Sequence, residues 1–442
     1  MPNQNAIVDF AVIGGGAAGF FAAITYAEQR LRQVGKPGKI VIIEKANRPL
    51  GKVLISGGGR CNLTHACFDP TELAAHYPRG AAELRGAFHR FQPGDIIAWF
   101  ESRGVRLKTE ADGRVFPASD SAQSVTDCLL EAARQAGIKL WTQATITAIE
   151  APKHAKDSFL LHLRYRQVKA AEVDKPSCLT ARKVLLATGG EAGGMKLAAA
   201  LGHTIESPVP SLFTFRLADS RLEGLAGVSV PLAELRLQGG TGKLPDQARQ
   251  PQHGAVLITH WGLSGPGVLK LSAWAARWLH SMNYQATLLV NWLFPLQEAE
   301  LLEILLVHKA ETPAARQKVS SCDPFQRLPQ RLWQRLTQAA GIAATQRWAD
   351  LSKETLKRLA GELTAGRFAI LGKGPFKEEF VTCGGVSLRE VDFRTMQSRL
   401  APGLFFAGEV LDIDGLTGGF NLQNAWTTGW IAGMGAAIED GR

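Results

Sequence analysis

Three consecutive glycines between a buried strand and a helix leave a chain few folds to choose from. Residues 8 to 13 (Val-Asp-Phe-Ala-Val-Ile) form a short apolar run, Gly14-Gly15-Gly16-Ala17-Ala18-Gly19 follows, and Ala17 to Gln33 reads as an alanine-rich helix. Lys39 to Glu44 supplies a second apolar run, so the chain opens with strand, helix, strand. In such a unit Gly14 makes the tight turn, Gly16 lets the backbone approach a pyrophosphate, and Gly19 lets the helix pack closely on the strand. Ala17 and Ala18 open the helix, whose positive end then faces the diphosphate. Glu44, followed by Lys45, is placed to accept hydrogen bonds from an adenosine ribose and would repel a 2′-phosphate. The interval to Glu44 exceeds the usual ~20 residues, and the excess lies in the polar stretch from Glu28 to Lys39.

The 442 residues exceed what one core usually serves, which implies at least two domains. With 45% apolar and 20% charged residues, the chain has the composition of a compact globular protein. The uncharged stretch from Phe10 to Ala27 contains four glycines and suits a strand-turn-helix better than a membrane span. No Lys- or Arg-led segment precedes it, so no signal peptide is expected and the expected compartment is the cytoplasm. Six scattered cysteines, without a Cys-x-x-Cys or Cys/His cluster, argue against a metal site and a disulfide framework. Cys61 and Cys67 come nearest to a redox pair, but five residues separate them where flavin disulfide reductases have four; they read as structural or flavin-adjacent thiols. The net charge of +10 is spread without runs or interleaved aromatics. It therefore predicts a basic surface attractive to anionic small molecules, and not a nucleic-acid platform or a membrane partner.

Later glycine motifs point from a dinucleotide site to FAD. The segment Leu50-Gly51-Lys52-Val53-Leu54-Ile55-Ser56-Gly57-Gly58-Gly59-Arg60-Cys61-Asn62-Leu63-Thr64 must form a loop whose amides are free to face a ligand, with Arg60 and Asn62 as donors at its end. Lys183 to Ala187 and Leu404 to Ala407 are buried-strand candidates, each halted by glycine: the first by Thr188-Gly189-Gly190, the second by Gly408-Glu409. Gly418-Gly419-Phe420-Asn421 then opens a helix from about Phe420 to Ile438, whose N-terminus would stabilise negative charge on a reduced flavin. Between these ends, residues 212–290 are strand-rich and 297–363 helical. The expected fold class is α/β: a Rossmann-like FAD-binding domain (1–211 and 381–442), with a β-rich insert (212–296 and 364–380) and a helical insert (297–363). Arg60, His260 and Asp412 are candidates for anion holder, proton donor and acid or base. Their plain alternatives are a phosphate contact, a core histidine and a turn cap. No second Gly-x-Gly-x-x-Gly follows a strand, so NAD(P)H would visit only as a transient electron donor.

The strings Ser56-Gly57-Gly58-Gly59-Arg60-Cys61-Asn62, Thr259-His260-Trp261-Gly262-Leu263-Ser264-Gly265-Pro266 and Thr382-Cys383-Gly384-Gly385-Val386, with Gly14 to Gly19 and Gly408-Glu409 through Asn421, resemble the BaiN-like (YhiN-like, aminoacetone oxidase-like) flavoproteins. The resemblance spans nearly the whole chain. It implies an FAD domain built from both chain ends, an inserted β-rich and helical part, and oxidation of amines or reduction of conjugated steroid enones. This chain departs from the family pattern after Gly190, where Glu191-Ala192-Gly193-Gly194-Met195 runs almost directly into the next helix, so a borrowed substrate does not transfer. The expected function is hydride transfer between a small organic substrate and flavin N5. An RNA-acting or redox-sensing flavoprotein without small-molecule turnover is the alternative, and the oligomeric state is left open.

Overall fold

The computed structural model describes residues 7–152, 154, 157–166, 176–239, 244–374 and 381–438. The expected ends of the chain and of the insert, at 1, 380 and 442, fall outside them. The chain divides into two compact units, Met1–Pro208 with Thr382–Arg442, and Val209–Val381.

The first unit is built on a nine-stranded sheet. Five of its strands run parallel, in the order Leu404–Phe406, Cys178–Leu186, Val8–Ile13 (β1), Ile40–Ile43 (β2) and Lys139–Trp141. β1 and β2 are buried along their whole length apart from Asp9, as central parallel strands covered on both faces must be. The helix after β1 (α1, Ala17–Val34) ends at Gly35, whose left-handed φ of 71° lets its N–H close back onto Leu31. Only the first eleven residues of α1 are buried; from Glu28 onward it runs into solvent. Its buried half crosses the C-terminal helix Phe420–Ala437 at Gly429 and Gly433, where a Cβ would lie 2.7 Å from the Ala18 oxygen and 2.5 Å from the Ala22 oxygen. The two backbones meet this closely because those positions carry no side chain.

The second unit carries a seven-stranded antiparallel sheet. One hydrophobic cluster joins sheet residues such as Leu235, Val256, Val290 and Phe368 to helix residues such as Leu305, Trp333 and Leu359. The strand-rich and helical stretches, separate in the sequence reading, therefore share one core. Each alone has one apolar face, and the two faces cover each other. Arg221 fastens the join, bonding Asp219 and Glu362 at 2.6 Å each while its guanidinium lies 3.8 Å from the Phe368 ring centre.

Candidate functional site

Strand register puts the glycine motifs of the first unit on one edge. Ile13 stands level with Ile43 and Leu186, Leu186 with Phe406, and Ile43 with Trp141. The residues that follow each strand, Gly14, Glu44, Ala187 and Ala407, are tied across by Gly14 N–H to Ile43 O at 2.9 Å, Glu44 N–H to Trp141 O at 2.8 Å, Ala187 N–H to Ile13 O at 2.8 Å and Ala407 N–H to Leu186 O at 3.1 Å. From β1 the sheet continues one way to β2 and the other way to Cys178–Leu186. That is a topological switch point, where the carboxyl ends of parallel strands leave a crevice for a ligand.

The glycines differ in what their missing side chains allow. Gly14 has φ +111°, and a Cβ there would lie 2.3 Å from the Ala187 oxygen; at Gly19 it would lie 2.0 Å from the Gly14 oxygen. Both are packing glycines. Gly16 is the N-cap of α1, its φ of −93° is open to any residue, and a Cβ would meet nothing within 4 Å. No side chain caps the first turn of α1 and no acid lies within it, so the amides opened by Ala17 and Ala18 carry roughly half a positive charge without a side-chain cap. Glu44 sits beside this turn, accepting from Gly15 N–H and Ala46 N–H at 2.7 Å each. Lys45 pairs with Glu191.

The second glycine motif is anchored to the same place. Leu50 N–H donates to Gly15 O at 2.8 Å, and Gly51 and Lys52 begin the one-turn helix Gly51–Ile55. After Ser56, whose hydroxyl donates to Val53 O at 2.8 Å, three glycines take left-handed φ values of 58°, 70° and 85°. Gly58 and Gly59 open onto solvent, forming the exposed amide loop that the sequence implies. Cys61 follows at φ +62°, fully buried, and burial pushes its thiol up to about 12. It is a packed neutral thiol, far from a redox thiolate. Asn62 bridges to the C-terminal helix: with its amide oriented to suit both neighbours, it donates to Thr64 O at 3.1 Å and accepts from Gly419 N–H at 3.0 Å.

On the other side of the switch point, Thr188, Gly189, Gly408 and Glu409 converge. Glu409 bonds Lys52 Nζ at 2.6 Å and accepts from Thr382 N–H at 2.9 Å. A Cβ on Gly189 would lie 3.6 Å from Lys52 Nζ and 3.7 Å from Glu409 Oε2. Gly408 donates to the Thr428 hydroxyl at 2.9 Å, fixing its strand end to the C-terminal helix. The Thr188 hydroxyl is buried and has no hydrogen-bond partner among the described residues. An open cradle at Gly16 and a helix start without a side-chain cap fit a bound diphosphate cofactor.

Other candidates have prior engagements. Arg60 bonds Glu110 at 2.7 Å, lies 3.5 Å from Asp120 and covers the Phe116 ring at 4.0 Å; the Glu110 hydrogen bond holds its pKa above the ordinary value. Asn421 exchanges two 2.8 Å bonds with the backbone of Gly415, a loop-holding role. Asp412 is half-buried, with its N–H on Val386 O at 3.1 Å. Two residues on, Asp414 is fully buried against Arg79, a pair that the sequence reading missed. His260 lies in the second unit, exposed on the hairpin turn between strands Gln252–Thr259 and Gly262–Ser264. It is therefore not a core histidine.

Sequence reasoning also missed a histidine pair beside Gly418 and Gly419. His76 and His65 both stack on the buried Phe420, at 4.2 Å and 4.9 Å between ring centres, and Tyr77 donates to Phe420 O at 2.6 Å. His65 directly follows Thr64 at the exit of the second glycine motif, and that adjacency was the available signal.

Fold and site together define an FAD-binding flavoprotein of the oxidoreductase class. The chain belongs to the HI0933-like protein Rossmann domain family, whose profile matches residues 8–435. It is 29% identical to the 3-dehydro-bile acid delta(4,6)-reductase of Clostridium scindens over 96% of this chain and 98% of that one. It is 28% identical to the ribosomal RNA dihydrouridine synthase of Escherichia coli, covering 96% of each chain. Among solved structures, 3-ketosteroid delta1-dehydrogenase from Sterolibacterium denitrificans aligns with 98% of this chain and 100% of its own at 12% identity, with a TM-score of 0.48. Among the described residues, no helix is long and apolar enough to cross a membrane.

Proposed function

We propose that this flavoprotein reduces a carbon–carbon double bond conjugated to a carbonyl. One observation carries the reading: two curated relatives that match end to end have names describing addition of two hydrogens across such a bond, one in a 3-oxo steroid and one in a uracil ring. FAD, held by the cradle at Gly16 and the residues facing it, would supply the hydride from N5, with NAD(P)H as a visiting donor. The amides opening α1 and the loop at Gly57 to Gly59 would bind phosphate oxygens, and Glu44 the adenosine ribose. The N-terminus of Phe420–Ala437 would stabilise negative charge developing on the ring system.

The second hydrogen must arrive as a proton on the carbon next to the carbonyl. We assign it to the His65–Phe420–His76 stack, because stacking fixes both rings beside the start of that helix. The test is anaerobic: the protein is reduced, then mixed separately with a 3-oxo-Δ4 steroid, uridine-containing RNA and a panel of amines. Return of oxidised flavin absorbance with a product two mass units heavier supports the reading. Oxidised protein that is bleached by an amine, while its reduced form ignores every conjugated alkene, would refute it. His76→Ala should slow the alkene step by ~10² or more without slowing flavin reduction by NAD(P)H.

A further inference from the structure

The second unit holds a cation-rich groove that the flavin site does not use. Helix Gln330–Ala339 buries Leu332, Trp333 and Leu336 in the unit's core, and the Trp333 indole donates to Val319 O at 2.7 Å. Its other face presents Arg331, Gln334, Arg335 and Gln338, spaced as one stripe along the helix. The stripe and the loop Glu223–Leu225 both line an open cavity of about 520 Å³. Arg331 donates to Gly224 O, and Arg335 to Glu223 O at 3.3 Å.

These partners are neutral carbonyls, so they fix the guanidinium groups without cancelling their charge. Among the described residues, neither arginine is ion-paired. The surrounding segment is equally one-sided: from Pro313 to Ala349 it carries six Lys or Arg and one acid, Asp323. Asp323 is turned inward, accepting from the N–H groups of Phe325, Arg327 and Leu328 at 2.9, 3.1 and 3.1 Å. Glu223 on the cavity wall is the acidic exception.

We propose that this groove binds the phosphate backbone of an RNA substrate. From Arg331 to Gln338 the stripe is about 10 Å long at 1.5 Å per residue, which exceeds one phosphate group and leaves room for neighbouring phosphates of one strand. The exposed amides beside the arginines, Gln334 and Gln338, suit sugar hydroxyls as well as phosphate. The inference rests on the double-bond reading above and chooses between its substrates: the conjugated ring is a uracil within a polynucleotide.

The test uses the full-length, FAD-loaded protein and a uridine-containing stem–loop RNA. Arg331→Gln with Arg335→Gln removes both charges while each amide can still donate to the Glu223–Gly224 carbonyls, so the loop stays anchored. RNA affinity should fall at least tenfold, and the slope of log affinity against log salt should shallow by roughly 1.5. Lysine at both positions should restore most of the slope. Flavin reduction by NAD(P)H and reduction of free uridine, which has the ring but no polynucleotide backbone, should be unchanged in all variants, which separates failure of the groove from failure of the double-bond chemistry. Unchanged RNA affinity in the glutamine variant would overturn the proposal. So would RNA displaced by millimolar inorganic phosphate without dependence on RNA length, which would mark a small-anion site.

Discussion

The two units solve opposite problems. In the first, parallel strands end level with one another, and every residue just past an end is pressed into a turn beside a shared crevice. The cofactor contacts proposed there are backbone amides, so the telling residues are those that lack side chains. In the second, an antiparallel sheet and its helices bury large aromatics, with Trp292, Trp333 and Trp348 fully enclosed. Stability there sits on side chains. Both units bury large aromatics, Trp426 and Phe100 in the first as Trp333 and Trp348 in the second; what differs is the surface offered to a ligand, backbone at glycines in the first and the side chains of one helix in the second.

Paired substitutions can break that contrast. Gly16→Val should abolish FAD binding while the fold persists, because the backbone at Gly16 tolerates a side chain that would then fill the cradle. Gly14→Ala should instead unfold the first unit, since its Cβ would collide with the Ala187 carbonyl. Flavin absorbance per folded chain, set beside the melting curve, separates the two. In the second unit, Trp348→Ala should cost about 3–5 kcal/mol of stability, with flavin per folded chain unchanged. Urea titration checks the first half and absorbance the second.

Cys61 sharpens the comparison on the pH axis. Its folded pKa, pushed up to about 12 from a value of 9.0, means that the folded state keeps a proton the unfolded state releases. The associated stability is fully present below pH 9 and is lost as pH rises from 9 toward 12. Cys61→Ala should flatten that alkaline decline in the urea midpoint; an unchanged decline would exclude Cys61 as its source. The smallest effect is expected from Glu44→Gln, a loss of roughly tenfold in FAD affinity, as for one charge-assisted hydrogen bond of ~1.5 kcal/mol. A flavin titration of apoprotein measures it.

What could be read from the sequence follows the same division. Gly14, Glu44, Thr188 and Gly408 were legible because each stands within two residues of its strand's end, so local order already gives position on the sheet. The capture of Arg60 by Glu110 and Asp120, and of Asp414 by Arg79, was not, since the partners lie 50 to 335 residues apart and only folding joins them. The same holds for the stacking of His65 and His76 on Phe420. In the second unit, the helical stretch looked independent because its pattern is regular. That its apolar face needs the sheet is a long-range fact, carried by residues such as Leu359 and Phe368.

The central claim is that the crevice at the carboxyl edge of the first unit's sheet holds FAD. The most direct measurement is to release the chromophore from purified wild-type protein by heat and identify it by mass and retention time, with Gly16→Val in parallel. The account predicts one FAD per wild-type chain, none from the folded variant, and no flavin left on the denatured protein. Release of FMN, a colourless wild-type protein that FAD cannot reconstitute, or equal FAD from both proteins would contradict it.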